Sequence, residues 1–119
     1  MTTVNSQLLP TRAIAPDICV APQLTPDAMA EAARAGFRSV VNNRPDHEHG
    51  PGQPTNADIE AAARAAGLEY RFLPVDGGYQ SPDEIARMAQ LLAELPRPLL
   101  AFCRSGARST RLIAAAAAM

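Results

Sequence analysis

A chain of 119 residues can form one compact domain with a single core and is too short for two. With 47% hydrophobic and 19% charged residues, the balance is that of an ordinary soluble domain. A net charge of −1 offers nucleic acid or an anionic membrane no bulk attraction, so any positive site must be local. No apolar run reaches the roughly 18 residues of a membrane span. The opening sixteen residues also lack the apolar stretch of a secretory signal. The expectation is a cytoplasmic protein whose two cysteines, Cys19 and Cys103, stay free thiols.

Residues 1–16 are polar and broken by Pro10 and Pro16, which reads as an N-terminal arm ahead of a catalytic domain over 17–119. A short strand follows at Ile18-Cys19-Val20. Thr25 offers an N-cap with Pro26 in the first helical position, and Gly36 a stop. Ser39-Val40-Val41-Asn42 makes the second strand, and a loop rich in Pro, Gly and His runs to Pro54. Thr55 or Asn56 caps a helix ending at Gly67, and Tyr70-Arg71-Phe72-Leu73 is the third strand. Ser81-Pro82-Asp83-Glu84 is a capping box, with Ile85, Met88, Ala89 and Leu92 behind it on one face. Pro96 and Pro98 end that helix. Leu99-Leu100-Ala101-Phe102 is apolar throughout and reads as a central strand, and a last helix runs from near Gly106 to the Ala114–Ala118 run.

Strands alternating with helices predict a single α/β domain. Its sheet should be mostly parallel, of about four to five strands, and flanked by helices. In such sheets sites form beyond the carboxyl ends of the strands. Four loops then converge on one edge: around Gln23, Asn42–Asp46, Asp76–Tyr79 and Cys103–Arg108.

Cys103 marks the junction of a buried strand and a helix N-terminus, where exposed amides favour an anion. Arg104, Arg108 and Arg111 follow closely, and Gly106 lets the backbone turn its amides inward. Both effects favour thiolate over thiol, so Cys103 reads as a nucleophile and Arg108 as a bidentate oxyanion holder. The competing reading is a buried cysteine acting as a small core hydrophobe.

The run Cys103-Arg104-Ser105-Gly106-Ala107-Arg108-Ser109 resembles the active-site loop of rhodanese-type sulfurtransferases. Over nearly its whole length the chain is similar to the phosphatase-like domain of beta-lactamase hydrolase-like proteins. The matching stretches are Gly36 to Asp46, Pro51-Gly52-Gln53-Pro54-Thr55, and Ala101 to Ser109. This resemblance spans roughly residues 16 to 117. It implies a dual-specificity-phosphatase-like architecture and leaves two activities open, phosphatase and sulfurtransferase. It also implies a functional association with a sulfur dioxygenase.

Cysteine phosphatases place one residue more between Cys and Arg than the four found here, usually with His before the Cys, where this chain has Phe102. A smaller ring suits a sulfur atom or small anion better than a tetrahedral phosphoryl group. The sequence therefore leads first to sulfur transfer through a Cys103 persulfide, with thiosulfate or glutathione persulfide as donor and no metal or cofactor. The alternative is a phosphatase in which a phosphocysteine forms on Cys103. There Arg108 clamps the oxygens, Asp76 or Asp46 protonates the leaving group, and Ser109 or Thr110 assists thiolate departure. A third reading is a redox sensor without turnover.

Arg104, Ser105, Gly106, Ala107 and Ser109 are the expected substrate-binding residues of the loop, with Arg44 and Asp46 from the second strand's end. Arg44 and Asp46 also fit a turn-stiffening ion pair, and Asp76-Gly77-Gly78 an ordinary turn. Tyr79 is placed at the pocket entrance and Cys19 in the core. His47 and His49 read as solvated rather than as a metal site.

Overall fold

A computed structural model describes residues 9–119. Five strands and four helices alternate: β1 (Arg12–Ala15), β2 (Ile18–Ala21), α1 (Asp27–Arg34), β3 (Ser39–Asn42), α2 (Asn56–Ala65), β4 (Glu69–Phe72), α3 (Pro82–Glu94), β5 (Leu99–Phe102) and α4 (Ala107–Ala117). The sheet order is β1-β2-β5-β3-β4. β2, β5, β3 and β4 are parallel, and β1 pairs antiparallel with β2 at the edge. This is the expected single α/β domain with a mostly parallel sheet flanked by helices.

β5 is central because its side chains satisfy both faces at once. Leu100 and Phe102 join Met29, Val40, Ile59, Ala63 and Tyr70 under α1 and α2. Leu99 and Ala101 join Val41, Met88, Leu91, Leu112 and Ile113 under α3 and α4. All four residues of β5 are fully buried, as a two-sided apolar strand requires.

The helix signals act as the sequence suggests. Thr55 accepts the Asp58 N–H at 3.2 Å, and Ser81 and Glu84 close a reciprocal capping box. At α1 the frame is shifted: Pro26 occupies the cap itself and no side chain caps the helix. β4 runs one residue earlier than expected, at Glu69–Phe72; the Leu73 N–H still donates to Asn42 O at 2.9 Å, and Pro74, with no N–H, ends the ladder.

The expected arm is only partly tested. Residues 1–8 lie outside the described residues, while Arg12–Ala15, within the same stretch, forms β1. Its signal was weak because an exposed four-residue edge strand carries little apolar alternation. Among the described residues, no helix is long and apolar enough to cross a membrane.

Candidate active site

The loops at the carboxyl ends of the parallel strands are stitched to one another by backbone hydrogen bonds. Cys103 N–H donates to Ala21 O at 3.3 Å, and Gln23 N–H to Arg104 O at 3.2 Å. Asn43 N–H donates to Phe102 O at 2.9 Å, and Val75 N–H to Asn43 O at 3.0 Å. The four expected loops therefore form one site, anchored on β5.

Cys103 is buried at the end of β5, one turn before α4. Gly106 caps α4 in the left-handed region, with φ of 93°, a conformation that costs an L side chain strain. That turn brings the Gly106 N–H to 3.0 Å from Cys103 Sγ. Burial alone would push the thiol up. The Ser109 N–H, the Ser109 hydroxyl and the N–H groups of Ser105 and Gly106 outweigh it and hold Cys103 below the ordinary thiol range. The contacts that lower its pKa are the loop's own hydrogen-bond donors.

Those arginines have separate fates. Arg104 is exposed, and Arg111, also exposed, donates to Gly77 O at 3.2 Å. Arg108 is buried and fixed by three groups: its Nη1 donates to Val75 O at 3.0 Å and lies 3.0 Å from Glu48 Oε2, while Nη2 donates to Glu48 Oε1 at 3.1 Å. Its Nε is buried with no hydrogen-bond partner. Gly77 lies against this guanidinium so closely that a Cβ there would meet Nη2 at 3.1 Å.

Glu48 is the residue that sequence reasoning missed, hidden between His47 and His49 in a stretch that read as a solvated loop. Its carboxylate bridges two buried arginines, accepting from Arg44 Nε at 2.9 Å as well as from Arg108. Partial burial pushes its pKa up, but the hydrogen bonds and charges of Arg108 and Arg44 prevail and bring it below the usual glutamate range. Arg44 also donates to Gln23 Oε1 at 3.0 Å, tying the β2 and β3 loops together. The only available signal was the chemistry of the arginines: two buried cations require an acid, and Asp46 was the wrong one.

Asp46 instead accepts the Asn56 N–H at 2.7 Å, a helix-start contact for α2. Asp76 is exposed, and its Oδ2 accepts the Gly78 N–H at 2.8 Å, as in an ordinary turn. Ser105 and Ala107 are exposed on the loop, Ser105 Oγ accepting the Ala107 N–H at 3.3 Å. Ser109 is buried and donates to Asn43 Oδ1 at 2.9 Å. Thr110 donates its hydroxyl to Gly106 O at 2.8 Å. Tyr79 is exposed and lines a shallow hollow with Gly77, Gly78, Gln80 and Arg111. Cys19 is buried on β2, where desolvation raises its pKa. Among the described residues no group of three or more His, Cys, Asp or Glu side chains is placed to hold a metal. Gln53 accounts for part of the resemblance segment at residues 51–55, since it accepts the His49 N–H and donates to Pro45 O, pinning the loop that carries Glu48.

Comparison with known proteins agrees with this geometry. The chain is 43% identical over 77 residues to a beta-lactamase hydrolase-like protein of Agrobacterium fabrum, covering 65% of this chain and 18% of that protein. It spans about a fifth of the length of the curated relatives it matches. Among solved structures it superposes on a conjectured phosphatase from Neisseria meningitidis with a TM-score of 0.77 and 29% identity, over 84% of this chain and 70% of that one. TpbA of P. aeruginosa, solved with phosphotyrosine, shares the fold with a TM-score of 0.63 and 18% identity, over 92% of this chain and 62% of that one. These likenesses favour the phosphatase alternative over sulfur transfer, and they lend no support to a sulfane-sulfur donor or a sulfur dioxygenase partner. The model of one family, the phosphatase-like domain of beta-lactamase hydrolase-like proteins, matches residues 10–119. The chain belongs to that family, and its architecture is that of a cysteine-nucleophile enzyme.

Proposed function

We propose that this domain hydrolyses phosphate monoesters through a phosphocysteine on Cys103. The observation that carries the reading is the buried Cys103 sulfur, 3.0 Å from the Gly106 nitrogen at the start of α4, in a fold shared with a conjectured phosphatase. The thiolate attacks phosphorus, forming the S–P bond as the ester O–P bond breaks. Arg108, held by Val75 O and Glu48, presents its unpartnered Nε to the phosphoryl oxygens, with the loop amides around Ser105, Gly106 and Ala107 completing the cradle. Asp76 is the candidate donor of the proton that the departing oxygen needs, since its loop reaches Arg108 through Gly77. Water then attacks the phosphocysteine, releasing inorganic phosphate and restoring the thiolate. Arg44 contributes its charge through the shared Glu48.

A second reading, sulfur transfer, is favoured by one observation. Only four residues separate Cys103 from Arg108, a short loop whose Gly106 N–H donates to Sγ. In that chemistry the thiolate attacks the outer sulfur of thiosulfate or glutathione persulfide, and the donor S–S bond breaks to release sulfite or the glutathione thiolate. The Cys103 persulfide then gives its outer sulfur to a nucleophilic acceptor, restoring the thiolate.

Turnover of p-nitrophenyl phosphate, set beside sulfur transfer from thiosulfate or glutathione persulfide to cyanide, decides between them when run on wild type and Cys103→Ser. Phosphate release that requires Cys103, with negligible sulfur transfer, is the expected result. Cys103-dependent sulfur transfer without phosphate release would establish the second reading instead. Silence in both assays, with a readily formed sulfenic acid on Cys103, would point to a redox module.

A further inference from the structure

Asn43 and Ser109 are both fully buried, and their contact obeys a strict proton count. Asn43 Nδ2 donates to Leu73 O at 3.0 Å, and a carbonyl can only accept, so the amide nitrogen is fixed on that side. Oδ1 must then face Ser109, 2.9 Å from its Oγ. An amide oxygen carries no proton, so this contact exists only if Ser109 donates to it. The same hydroxyl also faces Cys103 Sγ. Ser109 has one proton and two acceptors, and can serve one at a time. Thr110 does not substitute, because its hydroxyl proton goes to Gly106 O and its oxygen accepts from Arg12.

We propose that Asn43 is a positioning residue that competes with the Cys103 thiolate for the single hydroxyl proton of Ser109. While Cys103 Sγ is bonded to a transferred group and carries no charge of its own, the Ser109 hydroxyl donates to Asn43. When the thiolate is released, the hydroxyl rotates toward sulfur and stabilises it. No bond to hydrogen breaks, since the proton stays on Ser109 throughout. The inference rests on Cys103 acting as a nucleophile and holds for either transferred group. Asn43 is suited to the part because its backbone is locked between β5 and the β4 loop through Phe102 O and Val75 N–H.

The test is the pH dependence of Cys103 alkylation by iodoacetamide, read by mass spectrometry on the Cys103 peptide so that Cys19 does not contribute. This needs no turnover, so it can succeed even if the phosphatase reading fails. Asn43→Ala removes the competing acceptor and is expected to lower the Cys103 pKa by about half a unit. Ser109→Ala removes the donor and is expected to raise it by about as much. In the Ser109→Ala background, Asn43→Ala should have no effect. The charged groups around the loop stay the same in every variant: Arg104, Arg108 and Arg111 from the loop and α4, Arg44 and Glu48 from the β3 loop, and Asp76 from the β4 loop. A rise or no change with Asn43→Ala, or a shift that persists without the Ser109 hydroxyl, overturns the proposal. If Asn43→Ala does not fold, Ser109→Ala decides alone, since it leaves the Asn43–Leu73 bond in place. No rise in that variant overturns the proposal as well.

Discussion

The loops after β5 and after β3 contribute equally to the site but are organised in opposite ways. From Cys103 to Ser109, seven consecutive residues hold the nucleophile, the amides facing it and the arginine. From Asn43 to Thr55 the contributions are scattered: Asn43 reaches Ser109, Arg44 and Glu48 reach Gln23 and Arg108, and Gln53 pins the turn between them. The first loop surrounds Cys103 by local geometry. The second supplies the counter-charge for Arg108 and the hydrogen-bond acceptor for Ser109. A reactive loop is therefore contiguous in sequence, while the groups that hold it ready are assembled by the fold.

Substitutions in each loop can break that comparison. Cys103→Ser should abolish turnover, a loss of at least about a thousandfold in kcat, with the fold intact by circular dichroism. Arg108→Lys should cost about a hundredfold in kcat/KM, because a lysine cannot hold Val75 O and Glu48 together while presenting a further donor. If activity survives Arg108→Lys, the β5 loop works through its amides alone.

The next two tests fall outside the β5 loop, where a self-sufficient motif would feel nothing. Gly77→Ala places a Cβ 3.1 Å from Arg108 Nη2 and should reduce kcat/KM by roughly three- to tenfold, with little change in melting temperature. The carboxyl of Glu48 is held below its ordinary range, so its contribution to stability is present above that range. It is lost as pH falls through the lowered value. Glu48→Gln should therefore flatten the acid limb of a stability–pH curve, by about 1 kcal/mol or less because solvent reaches this side chain. An unchanged acid limb would remove Glu48 from the account.

Much of this was legible in the residues. The all-apolar β5, the capping box at Ser81 and the left-handed stop at Gly36 are local signals, and each marks its element in the structure. The Cys103 loop was legible for the same reason. Three features were not. β1 is a short exposed edge strand with no pattern to read. Glu48 pairs with an arginine sixty positions away, a separation no spacing rule covers. Asp46 looked like a site acid by position, yet its carboxylate accepts the backbone N–H of Asn56 at the start of α2. Such short-range Asp contacts are ordinary turn and helix-start chemistry, which composition alone does not separate from catalysis.

The most direct test of the account is the identity of the group that Cys103 carries during turnover. The reaction would be quenched in acid after mixing with an aryl phosphate, and separately with glutathione persulfide, and the Cys103 peptide weighed by mass spectrometry. The account predicts a phosphoryl adduct on Cys103 that is absent from Cys103→Ser. A persulfide on Cys103 with the sulfur donor, and no phosphoryl adduct under any condition, would contradict it.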